Sequence, residues 1–256
     1  MTAPRVAVVR GSARGSALRA EARKLVTVRS APLTALAAVV GALALAGLVL
    51  ASLPVTQGAS VAALPPRDVL GAALLGVDLA AVATIVLGAS AAGGEWATGQ
   101  ALPTFLLQPR RERVVLAKTA VVAGAAAVVG VAAALVCTGL AAVVLGDRGL
   151  PPDALRLAAG TVLTPVFLAV VACAAGLALR STGGGVLVAL LLLALPTAAS
   201  WLGLPVTPFP TAALHSLSGT ASPAELVGAP TAVLSLLGWT VLALGIAIGR
   251  VRGRDM

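Results

Sequence analysis

Six long apolar runs, near Pro32 to Leu53, Val69 to Ala92, Thr119 to Leu145, Leu157 to Leu179, Gly183 to Gly203 and Pro230 to Gly249, decide what this chain can fold into. Each can cross a hydrocarbon core of about 30 Å at about 1.5 Å of rise per residue. In lipid a backbone must satisfy its own polar groups, which leaves helices or a closed barrel, and a barrel would show short alternating strands in place of long runs. The sequence therefore predicts an all-α polytopic membrane protein with six transmembrane helices. Hydrophobic residues make up 59% of the chain and charged ones 11%, against about half and a quarter in soluble domains. One membrane domain over residues 32–249, preceded by a basic segment 1–31 and followed by a tail 250–256, accounts for the whole sequence.

The formal net charge of +9 raises the question of a nucleic-acid surface, and the placement of the charges answers it. Of 18 Lys and Arg, all but Arg67, Arg148 and Arg156 fall on one side, in the N-terminal segment, the loop after span two, the turn after span four and the C-terminus. Positive residues stay cytoplasmic, so a multi-pass protein of the cell membrane with both termini inside is expected, and no nucleic-acid partner is needed to explain the charge. The small-residue step Ala44-Leu45-Ala46 brings a cleaved signal peptide into view. An uncleaved first helix is preferred because the run exceeds a signal h-region and five more follow.

Before span one, Ser16 to Ser30 alternates Leu18, Ala22, Leu25 and Val26 with Arg19, Glu21, Arg23, Lys24 and Arg29. On a helix this segregates an apolar stripe from most of the charge, which suits a helix lying in the headgroup layer; a basic tail that only fixes topology is the alternative.

Catalytic chemistry is hard to build from these residues. A phosphate-binding loop needs a lysine directly after a glycine, and the two lysines follow Arg23 and Ala117. The triplet Gly183-Gly184-Gly185 reads as a flexible or closely packed helix end. His215 lies among serines in the last outer loop, where a Ser-His pair is conceivable but unsupported by a third group. Cys137 and Cys173 sit inside apolar runs and read as small packed hydrophobes. No catalytic, cofactor-binding or metal site is predicted.

Asp78 is the one ionisable residue deep in a span. A charge there costs about 2.5–3.5 kcal/mol at the bilayer centre, so it should face the bundle, be protonated or line a wet cavity. A structural hydrogen bond to another helix is preferred over a transport contact. Thr161, Thr164, Pro165 and Pro196 add polar or kinking points to spans four and five, and Asp78, Thr161 and Thr164 are the candidate lining of a transport path. Trp201 reads as an interface anchor and Trp239 as a packed or lipid-facing residue.

The loop after span two, GEWATGQALPTFLLQPRRERVVLAK, is the longest polar interruption after the N-terminus. Gly93 and Gly94 can end the second helix, and Thr98 can cap a short new one reaching about Leu107, with Leu102, Phe105 and Leu106 on one face. A topogenic loop whose arginines grip headgroups is the other physical reading.

Gly94-Glu95-Trp96-Ala97-Thr98-Gly99, the Pro109-Arg110-Arg111 turn and Leu116-Ala117-Lys118 together resemble the G-E-[aromatic]-x-[ST]-G…P-x-R-x…AK signature of six-span ABC-transporter permeases of the type-two exporter class. Leu18-Arg19-Ala20-Glu21-Ala22-Arg23-Lys24-Leu25, Arg180-Ser181-Thr182 and the basic C-terminus are similar to further elements of that family, so the likeness runs through the whole chain in order. The resemblance implies a permease without its own ATPase. Its loop after span two would be a coupling helix seated on a separate nucleotide-binding subunit, which would hold ATP and magnesium. It also implies a second permease subunit, in a homodimer or heterodimer. On this basis Gly94, Glu95, Trp96, Thr98, Gly99, Leu102, Phe105, Arg110, Arg111 and Arg113 form the ATPase-coupling element. Two residues depart from the family: Ala22 stands where Trp is frequent, and Pro103 fits the coupling helix only if that helix starts near Gln100 or later.

Two other classes compete. An ion-coupled carrier would use Asp78 and predicts inverted repeats and broken helices, and no convincing repeat is visible. An intramembrane enzyme would need paired acids or a second histidine. The cargo expected from the small apolar lining of the spans is amphipathic or lipid-like.

Overall fold

The computed structural model describes residues 13–27, 30–58, 60–100 and 111–253. Its helices are α1 (Ala13–Thr27), α2 (Ser30–Gln57), α3 (Pro66–Leu74), α4 (Gly76–Ala97), α5 (Arg111–Leu145), α6 (Ala154–Thr161), α7 (Leu163–Leu179), α8 (Thr182–Trp201), α9 (Pro210–Ser218) and α10 (Ala229–Gly253). Six stretches are long and apolar enough to cross a membrane: Ser30–Gln57, Pro66–Ala97, Arg111–Arg148, Ala154–Leu179, Thr182–Trp201 and Ala229–Gly253. The six-span, all-helical, multi-pass architecture read from the sequence is therefore present among the described residues.

Spans two and four are each built from two helices. At Leu75 and Val162 the backbone stays right-handed but tightens, with φ/ψ of −58/−22° and −63/−24°. Leu75 donates to Ala72 and Asp78 to Leu75, three residues back instead of four, so span two bends through a local 3₁₀ step. In span four the cause is Pro165, which has no N–H to offer the Thr161 carbonyl. These are kinks in continuous spans, not unwound segments.

With lipid-like side chains on every face, helix association depends on close approach, and small residues provide it. A Cβ built on Gly76 would lie 2.2 Å from the Ala42 carbonyl oxygen, and one on Gly88 would lie 2.3 Å from that of Ala169. Those two contacts lock α4 against α2 and α7. Buried Thr84 adds a hydrogen bond from its hydroxyl to the Pro165 carbonyl at 3.0 Å, which also gives that part of the kinked span a partner. The core is layered around α7. Span four has 67% of its most apolar window buried, while spans one and six, at 22% and 11%, lie on the periphery. Gly185 packs against the Ala172 carbonyl, so the glycine triplet is a packing device, and Cys137 and Cys173 are buried free thiols.

α1 and the end of α10 meet on one face of the bundle, here the terminal face. Arg111 at the start of α5 donates to the Val251 carbonyl in α10, and α1 crosses the same face against α5. On the opposite face Arg148 donates to the carbonyls of Val61, Ala62 and Leu64 at 2.8–3.0 Å, and Arg67 pairs with Asp153. The short helix α9 is packed onto α6 there, with Gly160 against the Ser218 backbone.

Candidate functional site

Span two does not end at its glycine pair. Gly93 is helical because the backbone of Ser181 and Thr182 passes where its side chain would be, 2.2–2.6 Å from a built Cβ, and α4 continues to Ala97. Thr98 then closes this helix: its hydroxyl donates back to the Gly94 carbonyl at 2.9 Å, and Gly99 turns the chain with φ +71°. The expected role of Thr98 as the cap of a following helix gives way to one as the C-cap of α4. Leu102, Phe105 and Arg110, with Pro103 and the rest of the proposed coupling helix, lie outside the described residues.

The extra turn of α4 carries Glu95 to the centre of the terminal face, where four charges close a ring. Lys118 Nζ lies 2.5 Å from Glu21 Oε2 and 2.8 Å from Glu95 Oε1. Lys24 Nζ lies 2.9 Å from Glu21 Oε1 and 2.9 Å from Glu95 Oε1. Each lysine bridges both glutamates, so the signs alternate and cancel. Three elements are tied by it. Glu21 and Lys24 are three apart on α1 and share a face, Glu95 ends α4, and Lys118 stands in the second turn of α5.

Burial makes this ring consequential, because an unpaired charge away from water is costly. Lys118 is 3% exposed and Glu21 7%. Burial alone would push the Glu21 carboxyl up, but the charge and hydrogen bonds of Lys118 and then Lys24 outweigh it and hold the group below its ordinary value. For Lys24 burial works downward, and hydrogen bonds to Glu21 and Glu95 with their charges raise the ammonium above its ordinary value. Beside the ring is a cavity of about 340 Å³ edged by Ser30, Thr34, Ser90, Thr98 and Gln100.

Around the ring the terminal face is braced further. The Arg180 guanidinium lies 4.3 Å from the Trp96 ring centre, a cation–π contact made possible by Arg180 taking a left-handed conformation, φ 55°, at the end of α7. Arg252 pairs with Glu112, and Arg113 is half-buried. Of the predicted coupling residues, then, Glu95, Trp96 and Arg111 are committed to contacts within the chain. Gly94 has open space beside it.

α1 is held by charge as well as by packing. Leu25 packs against the buried cluster that includes Val114 and Val115, Leu18 and Val26 are 42% and 78% exposed, and Glu21 is buried. The pairs of Glu21 and Lys24 tie α1 to α4 and α5. Sequence reasoning gave Glu21, Lys24 and Lys118 no role beyond their place in the motif. The usable signal was sign: on a side whose charge is almost wholly positive, Glu21 and Glu95 serve no topological purpose.

The candidate transport residues do not gather. Thr161 spends its hydroxyl on the Ala158 carbonyl of its own helix, and Thr164 is half-buried. Asp78 is on the exposed stripe of span two with Leu75, Leu79 and Val82, and its carboxylate takes no hydrogen bond or ion pair from the described residues. The expected helix-to-helix hydrogen bond is thus not made among them. His215 is within electrostatic reach of Asp78 and 3.3 Å from Glu225. Ser218 bonds the His215 carbonyl and Ser216 that of Glu225, so neither hydroxyl is aligned on the imidazole. Burial would raise the Glu225 carboxyl, but the Ser222 N–H and hydroxyl and the nearby His215 hold it below its ordinary value.

No family model matches the chain, and no curated protein or solved structure matches it.

Proposed function

We propose that the chain is the membrane-spanning permease subunit of an ATP-binding-cassette exporter, moving an amphipathic or lipid-like substrate outward with ATP hydrolysed by a separate subunit. The reading rests on the GEWATG…AK resemblance together with one observation: the closed ring of Glu21, Lys24, Glu95 and Lys118. A lever that receives work from another polypeptide must be stiffly joined to the spans it moves. The ring joins the root of the loop after span two to α1 and span three at once, so a push on that loop is delivered to three elements together. In this reading the terminal face is cytoplasmic, as its positive charge favours. The ATPase, with its ATP and magnesium, docks on residues 98–113, and a second permease subunit completes the transporter.

Co-expression with a candidate ABC ATPase, sought first among the neighbouring genes, tests this. Affinity purification of the permease should retain the ATPase, and removal of residues 100–108 should release it while the six-span fold persists. Retention of the ATPase after that deletion, or substrate export by the purified chain without any ATPase, would end the proposal.

A second reading, an ion-coupled carrier, is favoured by the placement of Asp78: a carboxylate on an exposed stripe of a kinked span with His215 nearby. Asp78→Asn separates the two. Loss of transport with ATPase association and hydrolysis intact supports the carrier, and unchanged transport removes it.

A further inference from the structure

Spans five and six both pack on α7 and scarcely on each other. Between them is a cleft of about 380 Å³, floored by Ala174 and Ala178 and walled by Leu191, Leu195, Trp239 and Ala243. That volume lies within the roughly 300–1,000 Å³ typical of small-molecule sites, yet no lining residue carries a charge or hydroxyl. The floor from Val171 to Leu179 covers about 12 Å at about 1.5 Å per residue and ends at the terminal face, so the cleft runs inward from that face.

Its terminal end is basic. Leu179 lines the cleft and Arg180 follows it, while Ile246 lines the other wall and Arg250 stands one helical turn beyond on α10. Among the described residues the acids of this face pair elsewhere: Glu21 and Glu95 with Lys118 and Lys24, and Glu112 with Arg252. Arg180 and Arg250 have no acidic partner there; the Arg180 guanidinium rests on the Trp96 ring, which leaves its edge for an anion.

We infer that the cleft between spans five and six binds one acyl chain of an anionic phospholipid, whose phosphate is held by Arg180 and Arg250. The apolar trough matches a hydrocarbon tail, and its cationic end matches a headgroup with net negative charge. A zwitterionic lipid would bring an extra cation to that end. A helix from a second copy would be about 10–12 Å wide and would leave both arginines unmatched. The inference is independent of the exporter reading.

Trp239 reports directly on the cleft. The full chain is reconstituted in phosphatidylcholine vesicles containing rising fractions of phosphatidylglycerol or phosphatidylcholine dibrominated in mid-chain, which quenches nearby indoles. The Trp239 signal is the emission lost in Trp239→Phe. Half-quenching should need about fivefold less of the anionic lipid per cation in the site, and Arg180→Gln with Arg250→Gln should bring the two curves together. Filling the trough with Ala243→Phe, or with Ala175→Leu if that variant misfolds, should remove the high-affinity phase. Superimposable curves for the two lipids in the unaltered protein would mean ordinary boundary lipid and overturn the inference. So would a phase that survives both filling variants, or an unquenched Trp239 accompanied by a disulfide-linked dimer in Leu242→Cys, the sign of a second copy in the cleft.

Discussion

Lys118 stands between two carboxylates with 3% of its surface exposed, which sets it apart from an ordinary surface cation. Lys118→Met leaves Glu21 and Glu95 sharing Lys24 alone. Breaking a buried pair from one side typically costs about 3–5 kcal/mol. Lys24→Met removes an ammonium that is 39% exposed, and loss of an exposed pair costs about 1 kcal/mol or less. Thermal unfolding in detergent should rank the two in that order, and Glu21→Gln combined with Lys118→Met should cost less than the separate effects added. Equal losses for the two lysines would deny the ring its buried core. The same ring sets a pH window. The Glu21 carboxyl, held low by Lys118 and Lys24, contributes stability present above its unfolded value of about 4.3 and lost as pH falls through the lower folded value. The Lys24 ammonium, held high by Glu21 and Glu95, contributes stability present below its unfolded value of about 10.4 and lost as pH rises through the higher folded one. Apparent melting temperature should therefore hold across neutral pH and fall at both extremes. The alkaline fall should be shallower in Lys24→Met, and parallel curves for that variant and the unaltered protein would refute the assignment.

Two neighbouring glycines show how differently a helix can use the same residue. Gly93→Ala places a methyl 2.2 Å from the Thr182 nitrogen, so the α4 to α8 contact must open, at an overpacking cost of about 1–3 kcal/mol or more. Gly94→Ala meets nothing within 4 Å in the same helix and should stabilise by up to about 1 kcal/mol through helix propensity. Opposite shifts in unfolding temperature check this, and shifts of one sign would contradict it. The pair also marks the limit of reading elements from sequence. The six spans are legible because their length and apolar composition suffice, whatever packs against them. Their ends are not: Gly93-Gly94 looks like a stop, yet the helix runs on to Ala97, and Gly93 is there to let Ser181 and Thr182 pass where a side chain would be. The kink at Pro165 is visible as a proline, whereas the one at Leu75 comes from a 3₁₀ step with no sequence marker of its own. Likewise, the periodicity of α1 picks out Leu18 and Val26 and cannot foresee the pairing of Glu21 with Lys118, which arrives from nearly a hundred residues away.

At the scale of the whole molecule the charges divide the bundle into two unlike ends. The terminal face holds the ring, Arg180, Arg111 and the Arg252–Glu112 pair. The far face holds Arg148 tying down its loop, the Arg67–Asp153 pair and the Glu225–His215 corner. This separation is a property of the fold. The proposed cytoplasmic placement of the terminal face rests on its excess of Lys and Arg, since such residues resist translocation. The native thiols are silent in a labelling test because Cys137 and Cys173 are both buried. Thr98→Cys and Ser222→Cys place a thiol at exposed positions, on the terminal face and on the far face respectively. A membrane-impermeant maleimide should therefore label Ser222→Cys in intact cells and Thr98→Cys only after the membrane is opened. The reverse pattern would put the loop after span two outside, beyond the reach of any ATP-hydrolysing partner, and the lever would have nothing to push against it.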